Sequence, residues 1–506
     1  MGEMGEPDYR QVMPLSPSPS PSPSNTKTIE GLMEVISIKD STDPSKESTT
    51  ISTNLQGHRK NLQEAWLPIT ESRNGNSIYA MFHLLCSGIG FQALFLPVAF
   101  ATLGWAWGII CLSLAFAWQL YTIFILVQLH ELVPGIRYSR YLQLAIVSFG
   151  PKLGKLLALF PVMYSSGGAC VLMIINGGHT LDLLFKTICD FEATCHVQSL
   201  TGTESFLVFT CMAILVAQLP NLNSMVGVSL IGAITAIGYC TLILVLSITK
   251  SRPVDISYGQ FDVVKSYMEK ISDILNALGI IALAFKGHNL ILEIQGTLPS
   301  NQRHTSYKPI CDTLVLACCG SDWLAMDLIK EELVDRRQEE NAQYRVPFSG
   351  GLLSAFSQIH GANTSKLIMG SIYLLVLVNY LCGFQVYAMP VFDNLEMRYT
   401  TKKKKPCPKW VRTCLRIFFG GVAFFVAVAV PFLGSLAPLI GGMVLPMTFA
   451  YPCFMWIAMK KPRPNGVVWS INFWLGCLGI VFSVLIVIAA AWTLADKGLN
   501  ANFFRP

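Results

Sequence analysis

Charged side chains are scarce in this 506-residue chain: Asp, Glu, Lys and Arg make up 13% of it, about half the ~25% of an ordinary globular protein. So few charges cannot cover the surface of a soluble protein of this size. That excludes a soluble enzyme, a nucleic-acid binder and a disordered chain. Cysteine is not scarce, at 15 residues, but no Cys-x-x-Cys pair and no Cys/His metal spacing occurs. Most cysteines lie inside apolar runs, where they act as small hydrophobes. No phosphate-binding Gly-x-x-x-x-Gly-Lys-Ser/Thr loop is present, so nothing points to an ATP-driven pump. His130-Glu131 opens like a zinc-protease helix, yet Pro134 stands where the second histidine would be. Neither a metal nor a cofactor is expected.

What the chain has instead is apolar length. Hydrophobic residues make up 52% of it, and from Ser77 onward they fall into runs long enough to span a bilayer. These runs lie at 77–103, 105–129, 155–185, 205–220, 222–249, 271–297, 366–392, 412–432, 434–459 and 468–494. Several are broken by Gly or Pro, and such breaks survive in a bilayer only where they are buried in protein or line a wet cavity. Residues 1–70 differ: the Ser-Pro tract from Ser16 to Ser24 favours extended backbone and cannot build a core. The tail has no apolar segment of a cleaved signal peptide, and it is expected to be disordered and cytosolic.

The basic residues gather in three short loops. Arg137, Arg140, Lys152 and Lys155 form one, Arg398, Lys402 to Lys405, Lys409, Arg412 and Arg416 the second, and Lys460, Lys461 and Arg463 the third. The positive-inside rule puts all three in the cytosol. Five apolar runs lie between the first two loops, however, and an odd number of crossings would put those loops on opposite sides. A sixth crossing is needed between 298 and 365. Its one candidate, Ile310 to Ile329, carries Asp312, Asp322 and Asp327, each costing about 2.5–3.5 kcal/mol near mid-membrane.

Three motifs carry a family resemblance. Gly75-Asn76-Ser77 through Gly88-Ile89-Gly90-Phe91-Gln92 to Leu96-Pro97 and Leu103-Gly104-Trp105 resembles the first span of the plant amino acid/auxin permeases. Ala284-Phe285-Lys286-Gly287-His288-Asn289 with Leu292-Glu293-Ile294-Gln295 resembles their sixth, and Phe384 to Asp393 their eighth. The branch it resembles most is that of the lysine/histidine transporter-like proteins, over residues 75–297 and 348–495. The resemblance implies an all-α polytopic membrane protein of LeuT-like fold. That fold has two inverted repeats of five helices plus one additional helix, with a cytosolic N-terminus. It also implies a transporter domain over 71–506 in which 298–365 is atypical and the seventh helix is degenerate or missing, the same place the crossing count singles out.

In such transporters the substrate lies near the midplane between two unwound helices. Gly88-Ile89-Gly90 supplies one break, with amide groups and a positive half-helix end for a carboxylate, although such glycines also serve close packing. Phe285-Lys286-Gly287-His288-Asn289 supplies the other. The candidate substrate site is therefore Gly88, Ile89, Gly90, Phe91, Phe285, Lys286, Gly287 and Asn289. Lys286 either faces the pathway or pairs with an acid to hold two helices together. Glu293, roughly 9 Å beyond Gly287 along a helix, is either the proton carrier or an interfacial acid neutralised by a cation. Asn176, Asn379 and Gln385 read as interhelical hydrogen-bonding residues. The expected function is proton-coupled import of amino acids across the plasma membrane, with amino acid, protons and lipid as the partners and no nucleic acid. The alternative is a non-transporting or regulatory membrane paralogue, or splice form, that lacks one helix.

Overall fold

The computed structural model describes residues 66–70, 73–88, 92, 94–133, 136–191, 200–219, 223–249, 256–257, 266–300, 306–312, 344–345, 353, 356–358, 361, 364–430, 433–464 and 466–498. Apart from one two-residue parallel pairing, Ile256–Ser257 with Tyr344–Arg345, the described elements are helices. The first span is two half-helices, α1 (Ser77–Gly88) and α2 (Leu96–Leu103). Pro97 sits in the first turn of α2, where its missing N–H leaves no helix bond unmade. Gly104, at a φ of +78° that a side chain would strain, turns the chain into α3 (Trp105–His130). A short helix, α4 (Tyr141–Phe149), precedes the third span, α5 (Pro151–Phe191). The fourth and fifth spans are α6 (Gly202–Val216) and α7 (Val226–Thr249). Thr201 starts α6 with a capping box, its hydroxyl accepting the Glu204 N–H while the Glu204 carboxylate accepts that of Thr201.

The sixth span is again split, into α8 (Tyr267–Ala284) and α9 (His288–Thr297). Beyond it come α10 (Lys366–Lys403) and α11 (Lys409–Ala429), the eighth and ninth spans. The tenth runs from α12 (Leu433–Leu445) through a π-turn, Pro446–Ala450, into α13 (Tyr451–Lys460), and α14 (Val467–Gly498) is the last. Seven helical stretches are each long and apolar enough to cross a membrane. The two split spans and the shorter α6 bring the crossings among the described residues to the ten that the apolar runs predicted. The outward faces carry large apolar side chains such as Leu114, Phe418, Ile488 and Trp492, the surface that a hydrocarbon environment requires.

Two expectations meet the structure at their edges. Residues 66–70, grouped with the tail by composition, form turns in which Leu67, Ile69 and Thr70 are buried; residues 1–65 lie outside the described residues. Of the Ile310–Ile329 candidate only the first residues are described, within a helical stretch at 307–312, and the remainder lies outside. The flanks still answer the crossing question. Leu298 is hydrogen-bonded through its carbonyl to Arg137 of the first basic loop, and Arg140 of that loop pairs with Asp393. Lys366, where α10 begins, lies 27 residues before Asp393, about 40 Å along the helix. Residues 299–365 therefore begin on one face of the bundle and end on the other, as the parity of the basic loops demands.

The tightest helix crossing joins the sixth and tenth spans. A Cβ on Gly441 would run into the carbonyl oxygen of Gly279, and one on Gly279 into the backbone of Pro438. Only glycine at both positions lets α8 and α12 touch backbone to backbone, a device common between membrane helices. Gly441→Ala should therefore destabilise the purified protein by the ~1–3 kcal/mol typical of overpacking and lower its Tm, whereas Gly421→Ala, at a site with no described neighbour within 4 Å, should not lower it; thermal unfolding in detergent reads both.

Candidate functional site

The two split spans put their breaks five spans apart, in equivalent places of the two implied repeats. In the sixth span the helix stops at Ala284, and Gly287 adopts a φ of +131°, open to glycine and strained for other residues. Its amide region restarts the helix at His288. In the first span α1 ends at Gly88. Among the described residues, an added Cβ at Gly88 or at Gly287 would meet nothing within 4 Å, so both breaks border open space rather than their packed side chains. Of the remaining expected site residues, Ile89, Gly90 and Phe91 lie outside the described residues. Asn289 is helical, and its side chain is not among those described.

Polar groups of the eighth span stitch the breaks together. The Tyr387 hydroxyl donates to the Ser87 carbonyl at 2.8 Å, a carbonyl set free by the end of α1. Gln92 donates to the same carbonyl at 3.0 Å and lies 2.6 Å from that hydroxyl. Lys286, buried at the second break, holds its ammonium 4.5 Å from the centre of the Tyr387 ring, a cation–π contact. Lys286, Tyr387, Gln92 and Ser87 thus form one cluster across the first, sixth and eighth spans. Phe285 turns the other way and packs on Phe116 of α3, with ring centres 6.4 Å apart. His288 lies beside the Thr122 hydroxyl at 2.8 Å and against Phe449 of the π-turn.

Glu293 is 3% exposed, on the side of α9 that faces Asp393 and Arg140. One of its oxygens, Oε2, has no hydrogen-bond partner among the described residues. Asp393 is held by Arg140, its nearest contact at 2.5 Å, and accepts the Ile69 N–H at 3.4 Å, while Arg140 also donates to Thr70. Residues 66–70 are therefore pinned by the same ion pair that joins the first basic loop to the eighth span. A second cluster closes the same face. Arg137 donates to the carbonyls of Gln295 and Leu298 and pairs with Glu131 at 3.2 Å, and Ser306 donates to both Glu131 oxygens. Burial alone would raise the Glu131 carboxyl, but the neighbouring His130 and the Ser306 and Ser300 hydroxyls outweigh it and hold it down at about 2.

The sequence singled out neither Tyr387 and Gln92 nor the Arg140–Asp393 pair as site residues. An aspartate closing the apolar run of the eighth span was the signal that could have found the pair, since a buried charge needs a partner. Asn379 and Gln385 bond across helices as expected, to the carbonyls of Gly232 and Ala213. Asn176 does not: it donates to Leu172 one turn back in its own helix.

Residues 73–320 and 358–495 match the family described as transmembrane amino acid transporter protein. The chain belongs to that family. Transporters of this family move amino acids across membranes and are not enzymes, so this is a multi-pass amino acid transporter. It is 47% identical to Lysine histidine transporter-like 8 of Arabidopsis thaliana over 463 residues, 89% of this chain and 85% of that one. It is also 47% identical to Lysine histidine transporter-like 7 of the same plant, over 88% of this chain and 90% of that one. Among solved structures it resembles MhsT, crystallised in complex with L-phenylalanine, with a TM-score of 0.55 and 12% identity over 83% of this chain and 99% of that one. That likeness shows the LeuT-like fold. The stretch between the two matched family segments, 321–357, falls inside 298–365, the segment that the crossing count singled out.

Two outcomes follow from the ionic face. Asp393→Asn leaves Arg140 buried without its charge partner, which costs about 3–5 kcal/mol, so the Tm should fall well below that of Lys186→Gln, which removes the solvent-facing pair that Lys186 makes with Asp182 one turn back in α5. Glu131, held down in the folded chain, contributes fully above its unfolded value near 4.5 and less as the pH falls toward about 2. The Tm difference between wild type and Glu131→Gln should therefore shrink steadily between pH 5 and pH 2 and stay flat above pH 5.

Proposed function

We propose that the protein is a proton-coupled symporter that imports amino acids across the plasma membrane, with its N-terminus and three basic loops in the cytosol. The observation that carries this reading is the pair of helix breaks facing open space, with a buried carboxylate one half-helix away. A break exposes amide and carbonyl groups that lipid cannot satisfy, and a zwitterionic substrate carries the matching carboxylate and ammonium. The substrate's carboxylate would meet the amides of the Gly88–Gly90 break. Lys286, Gly287 and Asn289 would line the other side, with Phe91 toward its side chain, while Phe285, expected beside it, packs on Phe116 instead. MhsT, which shares the fold, was crystallised with an amino acid, L-phenylalanine, in keeping with a substrate of this class.

Glu293 is the coupling residue in this reading. Its carboxylate is buried on the side of α9 that faces the Arg140–Asp393 pair, with one oxygen lacking a hydrogen-bond partner among the described residues. A proton arriving with substrate would neutralise Glu293, leave Arg140 to Asp393 alone, and so favour one closed state of the cytosolic face. A second reading, a regulatory paralogue that does not transport, rests on the unmatched stretch 321–357.

Expression in a cell of low background should give a substrate-dependent inward current that grows as the external pH falls. Glu293→Gln should flatten that pH dependence while changing the half-saturating substrate concentration less than about threefold. Delivery to the surface with no current for any amino acid would favour the regulatory reading; current with unchanged pH dependence in Glu293→Gln would remove that residue from coupling.

A further inference from the structure

Away from both breaks, the wall of the bundle carries a cavity of about 430 Å3 between the third, eighth, ninth and tenth spans. Met163, Tyr164 and Gly167 of α5, Leu395 of α10, and Phe418 and Val422 of α11 are among its lining residues. It is apolar and opens outward, since Phe418 and Val422 are exposed on the surface that faces lipid. A Cβ on Gly167 would meet nothing within 4 Å, so the glycine deepens the groove instead of serving a helix contact.

The two helices that form its floor continue toward the basic face as charged stripes. On α5 the four-residue steps that pass through Tyr164 and Met163 lead back through Phe160 and Leu156 to Lys152, and through Leu159 to Lys155. On α10 the seven-residue steps, two helical turns each, from Val391 and Leu395 lead on to Arg398 and Lys402. Residues so spaced share one side of a helix. Lys155 lies about 12 Å from Met163 along its helix and Lys402 about 10 Å from Leu395, so the cations rim the groove at one end. All four are exposed, and none pairs with a carboxylate among the described residues. The nearest acid on α10, Glu396, is already matched by Arg412 and Arg416.

We propose that this groove binds one anionic phospholipid, with an acyl chain along the apolar wall and the headgroup phosphate among Lys152, Lys155, Arg398 and Lys402. The charge complementarity selects the occupant. A zwitterionic lipid would bring its own cation to the rim, a free phosphate would leave the apolar wall unused, and a second copy of the chain would set four cations against four more. Basic residues beside a membrane surface draw anionic headgroups at roughly 1 kcal/mol each. The site is separate from the substrate breaks, so it stands or falls independently of the transport reading.

The test uses the full-length protein, delipidated in detergent and titrated with dioleoyl phosphatidylserine, dioleoyl phosphatidylcholine or inorganic phosphate, with thermal stabilisation and native mass spectrometry as the readouts. Phosphatidylserine should bind as one retained lipid and stabilise at concentrations at least about tenfold lower than phosphatidylcholine. The variant Lys152→Gln, Lys155→Gln, Arg398→Gln, Lys402→Gln should abolish that preference. Gly167→Leu should weaken phosphatidylserine with every charge in place. Lys403→Gln, Lys404→Gln, Lys405→Gln, Lys460→Gln should keep the preference, which guards against a general effect of net charge. Equal binding of the two lipids, stabilisation by phosphate alone, equal loss in the second charge variant, or lipid-independent dimers formed through this face would each overturn the proposal.

Discussion

Lipid offers no hydrogen bonds, and this one constraint organises the described structure. At several places where the backbone of a span departs from a regular helix, a side chain from elsewhere in the bundle reaches the carbonyl that has been set free. Tyr387 and Gln92 take the Ser87 carbonyl at the end of α1. Arg137 takes those of Gln295 and Leu298 at the end of α9, and Arg416 those of Ala217 and Leu219 after α6. Tyr141 takes the Met447 carbonyl within the π-turn. Each irregularity is thus also a tie between spans, because the group that completes one helix is carried by another.

The charged residues follow the same economy. Those buried near the basic face are grouped as Arg140 with Asp393, Arg137 with Glu131, and Arg412 and Arg416 with Glu396. Each group joins a loop or helix end to a neighbouring span, so this end of the bundle is held by ions where the rest is held by apolar contact. Glu293 sits beside the first of these groups without belonging to it. A carboxylate placed next to an ion pair, and able to compete for its cation, gives the proposed coupling its physical basis.

Much of this was legible in the sequence. The apolar runs gave ten spans because a bilayer imposes a minimum length on every crossing, and Gly88, Gly287 and Pro97 marked where two of them break. The parity of the basic loops pointed to residues 298–365 as the place where a crossing was owed. What could not be read were the partners. Nothing local in Tyr387 says that its hydroxyl will meet Ser87, three hundred residues earlier, and nothing in Phe285 says that it will turn to Phe116 instead of the open space. Asn176 bonded its own helix where its polarity alone suggested a neighbour. Periodicity fixes which side of a helix a residue is on, and packing decides what stands opposite.

The π-turn at Pro446–Ala450 carries a consequence of its own. Such a turn accommodates an extra residue within an otherwise regular helix, and at 3.6 residues per turn one residue amounts to about 100° of rotation. It turns α13 about its own axis relative to α12, so the inward face of the tenth span is set by two separate angular origins. Cys453 and Met455 are buried by the register after the turn, and Ile440 and Val444 by the register before it. The tenth span therefore behaves as two keys cut on one shaft, fitting the sixth span with one half and the second span, α3, with the other.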